Sequence, residues 1–246
     1  MSPPSLMIAP NEIKVCYLQP DVLQDVALIK HYLRAFDADE LNTYANFRFA
    51  KDRHTYLVAH ALLRGALSRY AGSEPGEWAF RRNANNKPFI LKPEHAGDLQ
   101  FNLSHTQGMV AVAITRMGQV GIDVECLNRD NTSLDIAMEI LSEDEYSDFI
   151  QHKENYKRLL DYWTLKEAYV KATGLGLTSG LKNHAFDLSE PNEPKIRFLT
   201  PNQYSSRDWK FWQNYLHHEY LLAVACHMPE KQDARLDMEE ALWLLD

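Results

Sequence analysis

The chain has 246 residues, of which 45% are hydrophobic and 24% are charged, and its formal net charge is −8. This composition is typical of a globular protein with a buried core and argues against a disordered or fibrous chain. The negative charge disfavours broad binding to nucleic acid or to an anionic membrane, because both depend on summed positive potential. We therefore expect no nucleic-acid partner and no membrane partner.

Cysteine usage and the start of the chain predict a soluble cytoplasmic protein. Cys16, Cys126 and Cys226 are far apart and form no CxxC pair, so neither a disulfide framework nor a zinc site is indicated. The first ten residues lack a basic segment followed by a long apolar core. No apolar run elsewhere approaches the roughly 20 residues that a membrane helix needs.

The first half of the chain predicts one firm helix and several strands. Asp52 is expected to cap a helix that runs to about Tyr70, and Gly72 lies just past its end. Three strands are predicted after this helix, the first of them entered from a polar loop: 89–91, 108–116 and 121–125.

The second half begins with a capping box. Ser142 is predicted as the N-cap of a helix, with Glu145 at its third position. A longer helix is predicted over 155–173, ending before Gly174, and a strand over 220–227. The strand segments "MVAVAI" and "LLAVAC" resemble each other, which hints at two similar α/β lobes, but Val and Ala recur in strands by chance and the pattern leaves duplication open.

A charged pair continues the apolar line of the longer helix. Leu160, Trp163, Glu167 and Lys171 follow one another at helical spacing, so the two charges are not expected on the solvent face. One interpretation is an ordinary salt bridge between residues one turn apart, which contributes a few tenths of a kcal/mol. The position beside Trp163 favours the other interpretation, a functional site.

Two acidic residues lie two apart on a predicted strand. Asp123 and Glu125 project to the same side, while Ile122 and Val124 project to the other. Two close carboxylates repel each other, and a hard divalent cation such as Mg²⁺ relieves the repulsion. An exposed strand face is the alternative, and a third carboxylate from Glu167 would favour the metal.

Polar and basic clusters could bind a ligand. Asn102, Ser104 and His105 are predicted in a polar loop that leads into a strand, where chemistry is common, although a single His is often structural. Two basic groups are either solvated surface or a site for a phosphate-rich small ligand: Arg81, Arg82 and Lys87, and Arg48, Lys51, Arg53 and His54.

Taken together, four motifs resemble those of a known family. "NKPF" (86–89), "NLSH" (102–105), "GIDVE" (121–125) and "WTLKEAYVKATGLGL" (163–177) occur in this order. The set is similar to that of the surfactin-synthetase-activating type of the 4′-phosphopantetheinyl transferase superfamily. A lone Gly-x-Asp-x-Glu would be weak, whereas its combination with Trp-x-x-Lys-Glu-x-x-x-Lys is specific.

The resemblance implies an α+β (α/β) fold, a pseudo-dimer of two similar lobes with the active site between them. Each lobe would be a small, mostly antiparallel sheet packed with helices: 1–118 with the coenzyme A-binding loops, 119–228 with the metal and catalytic motifs, then a tail over 229–246. The implied activity transfers the phosphopantetheine arm of coenzyme A to a serine of an apo acyl or peptidyl carrier protein and releases 3′,5′-ADP. Two lobes in one chain make a monomer sufficient.

The resemblance also implies roles for individual residues. Asp123, Glu125 and Glu167 would bind Mg²⁺, or Mn²⁺ in its place, together with the coenzyme pyrophosphate. Glu167 would act as, or position, the base, and Lys171 would stabilise the departing phosphate. The coenzyme would be bound by Arg53, Arg82, Lys87, Pro88, Asn102, Ser104, His105 and Lys171, of which His105 also counts as catalytic.

One departure concerns the 3′-phosphate of coenzyme A. Many relatives carry basic residues at two positions where this chain has Thr43 and Thr55. Two other functions use similar residues: a Mg²⁺-dependent nucleotide pyrophosphate hydrolase and a non-catalytic coenzyme-binding protein. The carrier could belong to fatty-acid, polyketide, nonribosomal-peptide or siderophore synthesis.

Overall fold

A computed structural model describes residues 6–128, 134–152, 155–176, 180–190, 193–228 and 233–245. Its α-helices are α1 (Val26–Ala35), α2 (Ala38–Asn46), α3 (Ala50–Ala71), α4 (Leu134–Ile140), α5 (Glu143–Gln151) and α6 (Asn155–Thr173). Its strands are β1 (Glu12–Leu18), β2 (Ala79–Arg82), β3 (Pro88–Lys92), β4 (Gln100–Thr106), β5 (Met109–Thr115), β6 (Val120–Cys126), β7 (His184–Asp187), β8 (Lys195–Phe198), β9 (Trp209–Leu216), β10 (Tyr220–His227) and β11 (Arg235–Glu240).

The chain divides into two compact units. Unit 1 contains the residues up to Met117 together with the segment from Ala234 onward, and unit 2 runs from Gly118 to Asp233. The predicted separate tail over 229–246 is therefore wrong from Ala234 onward, because β11 pairs with β1 of unit 1. Of that tail, 229–232 and 246 lie outside the described residues.

Unit 1 is built on a four-stranded sheet in the order β11-β1-β5-β4. The β1–β11 pair is parallel, and the other two pairs are antiparallel. Helix α3 packs its apolar side chains into one core with this sheet. Leu244 joins that core from the end of the chain, and a Cβ on Gly65 of α3 would crowd its side chain, so the glycine lets the segment after β11 pack closely on α3.

The ends of α3 test the prediction of a capped helix. Gly72 follows the helix with a left-handed φ of 78°, as its position indicates, and this prediction is confirmed. The predicted N-cap is wrong, because the helix begins at Ala50 and Asp52 lies in its first turn. The N-cap is Phe49, which makes no side-chain capping bond, so the start of α3 depends on its packing.

Unit 2 contains the antiparallel sheet β6-β10-β9, the hairpin of β7 and β8, and helix α6 packed against the sheet. Ser142 and Glu145 form the predicted capping box of α5. Helix α6 ends before Gly174, whose φ is 69°, as predicted. The strand predictions over 89–91, 108–116, 121–125 and 220–227 are confirmed as β3, β5, β6 and β10.

The fold class is thus α+β, with small, mostly antiparallel sheets packed with helices, as the resemblance implies. Among the described residues, no helix is both long enough and apolar enough to span a membrane.

Candidate active site

Helix α6 approaches strand β6 at a glycine. A Cβ at Gly121 would overlap the carbonyl oxygen of Ala168 and the amide nitrogen of Ala172, both on α6. Any other residue here would push the helix away from the strand. The first residue of "GIDVE" therefore allows the strand that bears Asp123 and Glu125 to lie against the helix that bears Glu167.

Two side chains of α6 hold the two carboxylates of β6. Lys171 Nζ donates to Asp123 Oδ1 at 2.6 Å, and only 4% of Asp123 is exposed. Trp163 Nε1 donates to Glu125 Oε1 at 3.1 Å. The sequence identified Trp163 only as an apolar anchor, because the bonding role of an indole N–H depends on a partner distant in sequence.

Glu167 lies near the same groups, but fewer hydrogen bonds balance its buried charge. It is 8% exposed, and its Oε1 atom is buried without a hydrogen-bond partner among the described residues. Burial, together with the charges of Asp123 and Glu125, raises the pKa of Glu167 to about 7, and the charge of Lys171 opposes this rise. A buried carboxyl that lacks a matching donor is typical of a functional group.

A divalent cation matches these residues in the kind of ligand they offer. Carboxylate oxygens are what Mg²⁺ prefers, and the buried Oε1 of Glu167 accepts no hydrogen bond from the described residues. As the side chains stand, however, the described part of the chain contains no group of three His, Cys, Asp or Glu placed to hold a metal. Asp123 is bound to Lys171 and Glu125 to Trp163, so a cation would compete with both contacts.

Lys166 precedes Glu167 but takes no part in this acidic cluster. Its side chain is fully buried, pairs with Glu145 at 2.9 Å, and donates to the carbonyl oxygens of Leu181 and His184. Glu145 in turn accepts from the backbone N–H of Phe186. This network ties α6 to α5 and β7. No local pattern predicts this network, because its members are distant along the chain and a lysine is rarely buried.

The "NLSH" residues lie on a strand and not in a loop. Asn102, Ser104 and His105 belong to β4, which pairs with β5 along its whole length. Successive strand residues face opposite sides, so Asn102 and Ser104 are buried on one face and His105 is exposed on the other. The structure therefore does not bring Ser104 and His105 to one point through their side chains.

The remaining predicted coenzyme residues lie near the β2–β3 hairpin, except one. Arg82 and Pro88 line a cavity in unit 1, which Asn102 also lines. Arg82 donates to the carbonyl oxygen of Asn86 at 3.0 Å, and half-buried Lys87 follows in the turn. Arg53 is half-buried near the start of α3 and is not among the residues that line this cavity.

Comparison with known proteins identifies the family. A model described as the 4′-phosphopantetheinyl transferase superfamily matches 119–225, and one described as 4′-phosphopantetheinyl transferase, N-terminal, matches 26–117. The 4′-phosphopantetheinyl transferase HetI of Nostoc sp. is 30% identical over 177 residues, which cover 71% of this chain and 74% of that protein. The chain belongs to the 4′-phosphopantetheinyl transferase superfamily. It is an enzyme of this class, and the resemblance seen in the motifs is confirmed.

Two other relatives of this transferase come from Bacillus subtilis and Homo sapiens. The 4′-phosphopantetheinyl transferase Sfp of Bacillus subtilis is 29% identical over 152 residues, covering 61% of this chain and 65% of Sfp. The L-aminoadipate-semialdehyde dehydrogenase-phosphopantetheinyl transferase of Homo sapiens is 23% identical over 216 residues, covering 80% and 69%. Among solved structures, the holo-[acyl-carrier-protein] synthase of Thermotoga maritima superposes with a TM-score of 0.37 at 24% identity, covering 48% of this chain and 66% of the synthase.

Proposed function

We propose that this transferase moves the 4′-phosphopantetheine arm of coenzyme A to a serine hydroxyl of an apo carrier protein and releases 3′,5′-ADP. Membership of the family supports the reaction class. The observation that carries the assignment of residues is the meeting of β6 and α6 at Gly121. There, Asp123 contacts Lys171, and Glu167 is buried with an oxygen that accepts no hydrogen bond from the described residues.

The reaction exchanges one phosphorus–oxygen bond for another. The serine Oγ bonds to the phosphorus that carries pantetheine, and the bond from that phosphorus to the bridging pyrophosphate oxygen breaks. The bridging oxygen leaves with 3′,5′-ADP, and the serine proton passes to a base. Catalysis of such a transfer consists mainly of positioning and of neutralising charge on the phosphate oxygens.

Glu167 and Lys171 are suited to the two ends of this exchange. Glu167 has a buried carboxylate oxygen without a donor among the described residues, so it can accept the serine proton or orient the group that does. Lys171 carries a positive charge that can move from Asp123 Oδ1 to the departing phosphate. The side chain of Lys171 is 29% exposed, so a ligand can reach it.

Asp123, Glu125 and Glu167 are the residues that would hold Mg²⁺, or Mn²⁺, which has similar ligand preferences. The bound ion would neutralise charge on the pyrophosphate oxygens. Binding has to displace or share the contacts that Lys171 and Trp163 make with two of these carboxylates.

For the coenzyme, unit 1 supplies the remaining contacts. Arg82 and Pro88 line a cavity of about 560 Å³, and Lys87 stands between them in the hairpin. His105 is exposed on β4 and can donate to a phosphate oxygen, whereas buried Ser104 faces the other side. Arg53 and Asn102 complete the proposed set.

The protein substrate is an apo acyl or peptidyl carrier protein. Carrier proteins are usually acidic, and this chain is acidic too, so recognition should depend on a local patch and not on long-range attraction. We propose that the enzyme acts as a cytoplasmic monomer. Its carrier belongs to fatty-acid, polyketide, nonribosomal-peptide or siderophore synthesis.

The proposal is tested by incubating the protein with coenzyme A, Mg²⁺ and an apo carrier, then weighing the carrier by mass spectrometry. We expect a mass gain equal to one phosphopantetheine on a serine, dependent on Mg²⁺. Cleavage of coenzyme A without a carrier would instead indicate a pyrophosphate hydrolase. Binding of coenzyme A with neither cleavage nor transfer would contradict catalysis.

A further inference from the structure

Strand β9 places a glutamine on the face of the sheet that carries Asp123. Gln213 pairs with Ala223 of β10, and Ala223 pairs with Asp123 of β6, so the three residues form one row across the sheet. Directly opposed residues of antiparallel strands project to the same side. Gln213 is half-buried on the side where α6 packs against the sheet. It belongs to none of the four sequence motifs.

The side-chain amide of Gln213 makes two hydrogen bonds to α6. Its Nε2 atom donates to the backbone carbonyl oxygen of Asp161 and to Thr164 Oγ1, both at 2.9 Å. Thr164 is fully buried, and its own hydroxyl donates to the carbonyl oxygen of Leu160, so its oxygen accepts from Gln213. An amide NH₂ group has two hydrogens, and both are therefore used on the helix.

These two bonds lie close to the acidic cluster along α6. Thr164 directly follows Trp163, and it precedes Glu167 by about 4.5 Å of helix rise. Lys171 follows Thr164 by about two turns and lies on the same side of the helix. Gln213 therefore fastens to the sheet the stretch of α6 whose side chains face β6.

Two further polar contacts join this stretch to the sheet, and both involve the acidic cluster. Lys171 donates to Asp123 and Trp163 donates to Glu125, and these are the contacts that a cation would displace or share. Gln213 instead uses a carbonyl oxygen and a hydroxyl outside the cluster, so its contacts can persist when a cation binds. Hydrogen bonds also fix a position more narrowly than apolar packing, because they depend on direction.

We propose that Gln213 is a positioning residue of this transferase. It holds α6 in place along the sheet, so that Glu167 stays beside the two carboxylates of β6 when a divalent cation replaces their contacts with the helix. The inference rests on the proposed function, which assigns these three carboxylates to the cation. Loss of the Gln213 amide should therefore weaken cation binding and slow the transfer step, with little effect on binding of the carrier.

The test uses Gln213→Met, which keeps the length of the side chain and removes both N–H donors. Affinity for Mn²⁺ in the presence of coenzyme A is measured by electron paramagnetic resonance, without a carrier protein. Transfer is measured separately by carrier mass spectrometry at varied carrier concentration. We expect Gln213→Met to bind Mn²⁺ about 10-fold more weakly and to lose about 10-fold in kcat per folded molecule, with KM for the carrier unchanged.

Variants of Thr164 test the same contact from the helix. Thr164→Val keeps the shape of the side chain and removes the oxygen that accepts from Gln213, so it should lose part of the Mn²⁺ affinity. Thr164→Ser keeps the hydroxyl and should retain the native affinity. Added to Gln213→Met, Thr164→Val should cause no further loss, because the bond is already absent. Tyr215→Phe is the matched control: it removes a 3.5 Å contact from an exposed tyrosine of β9 to Asp161 and should change little.

A purely structural glutamine would predict a different result. Gln213→Met would then unfold at a lower temperature, while the folded protein kept native Mn²⁺ affinity and native kcat. That result would overturn the inference and leave the proposed function standing. The inference is also overturned if Tyr215→Phe weakens Mn²⁺ binding as much as Gln213→Met, or if the native chain binds no Mn²⁺. A Mn²⁺ affinity that depends on Gln213, in a protein that modifies no carrier, would support the inference and remove the proposed function.

Discussion

Two buried glutamates, Glu40 in unit 1 and Glu167 in unit 2, are 6% and 8% exposed but have opposite electrostatics. Burial alone would raise the pKa of Glu40, but hydrogen bonds from His60 and Arg64 and the charge of Arg64 outweigh it and lower the pKa to about 2. Burial and two nearby carboxylates raise the pKa of Glu167 to about 7. Glu40 is thus stabilised by its partners, whereas Glu167 is held where its charge is costly, which is typical of a group kept for function.

The largest effect is expected from Glu167→Gln. Loss of the carboxylate should lower the rate of transfer to the carrier by about 10²-fold to 10⁴-fold, the usual contribution of a general base. The free energy of unfolding should stay the same or rise, because the neutral amide removes repulsion with Asp123 and Glu125. Transfer is measured by carrier mass spectrometry and stability by thermal unfolding. Glu143→Gln, which removes an exposed carboxylate on α5, should change neither transfer nor stability. A fully active Glu167→Gln would show that the buried charge of Glu167 is not kept for function.

Glu40→Gln should show the reverse pattern, a loss of stability. Removing this carboxylate leaves the Arg64 guanidinium buried without a counter-charge, which should lower the free energy of unfolding by about 3 kcal/mol. Hydrogen exchange along α3, measured by mass spectrometry, reports the change in unit 1. Asp39→Asn, an exposed neighbour on α2, is the matched control and should have little effect. Equal exchange in the two variants would show that the ion pair is not stabilising.

Acidic pH should reproduce the loss of stability that Glu40→Gln causes. The pKa of Glu40 is about 2 in the folded protein against 4.5 as the ordinary value, so its stabilisation is fully present above pH 4.5 and is lost as the pH falls towards 2. The difference between these two pKa values corresponds to about 3 kcal/mol of free energy of unfolding. The native chain and Glu40→Gln should therefore differ in hydrogen exchange of α3 at pH 6 and converge at low pH. A difference that persists unchanged to pH 2 would contradict the assigned ion pair.

Gly121→Ala should have a smaller effect, which involves both stability and transfer activity. The added methyl group meets the backbone of α6, and the resulting shift should cost about 1–3 kcal/mol and displace Glu167 and Lys171 from β6. Gly118→Ala provides the control, because a Cβ there meets the carbonyl oxygen of His227 and not α6. Both variants should lose stability, but Gly121→Ala should lose more transfer activity per folded molecule. Equal activity would show that the close approach of α6 is not required.

Features with a local physical cause could be predicted from the sequence. The capping box at Ser142 and the left-handed turn at Gly174 depend on residues within a few positions. Asp123 and Glu125 share a side because strand geometry alternates. Glu167 and Lys171 could be proposed as site residues from the sequence because both lie in one nearly contiguous motif.

What could not be predicted depends on distant partners. Asp52 resembles an N-cap, yet tertiary packing starts α3 at Ala50, two residues earlier. The polar run at Asn102 resembles a loop, but pairing with β5 makes it a strand. The parallel pairing of β11 with β1, and the partnership of Arg64 with Glu40, join segments that no local pattern connects.

The central claim is that Glu167, whose Oε1 atom accepts no hydrogen bond from the described residues, would share a divalent cation with Asp123 and Glu125. Electron paramagnetic resonance of Mn²⁺ titrated into the protein with coenzyme A tests this most directly. We predict one bound Mn²⁺ per chain, with affinity at least about 10-fold weaker in Glu167→Gln and unchanged in Glu143→Gln. Native Mn²⁺ affinity in Glu167→Gln, in a chain that remains folded, would contradict it.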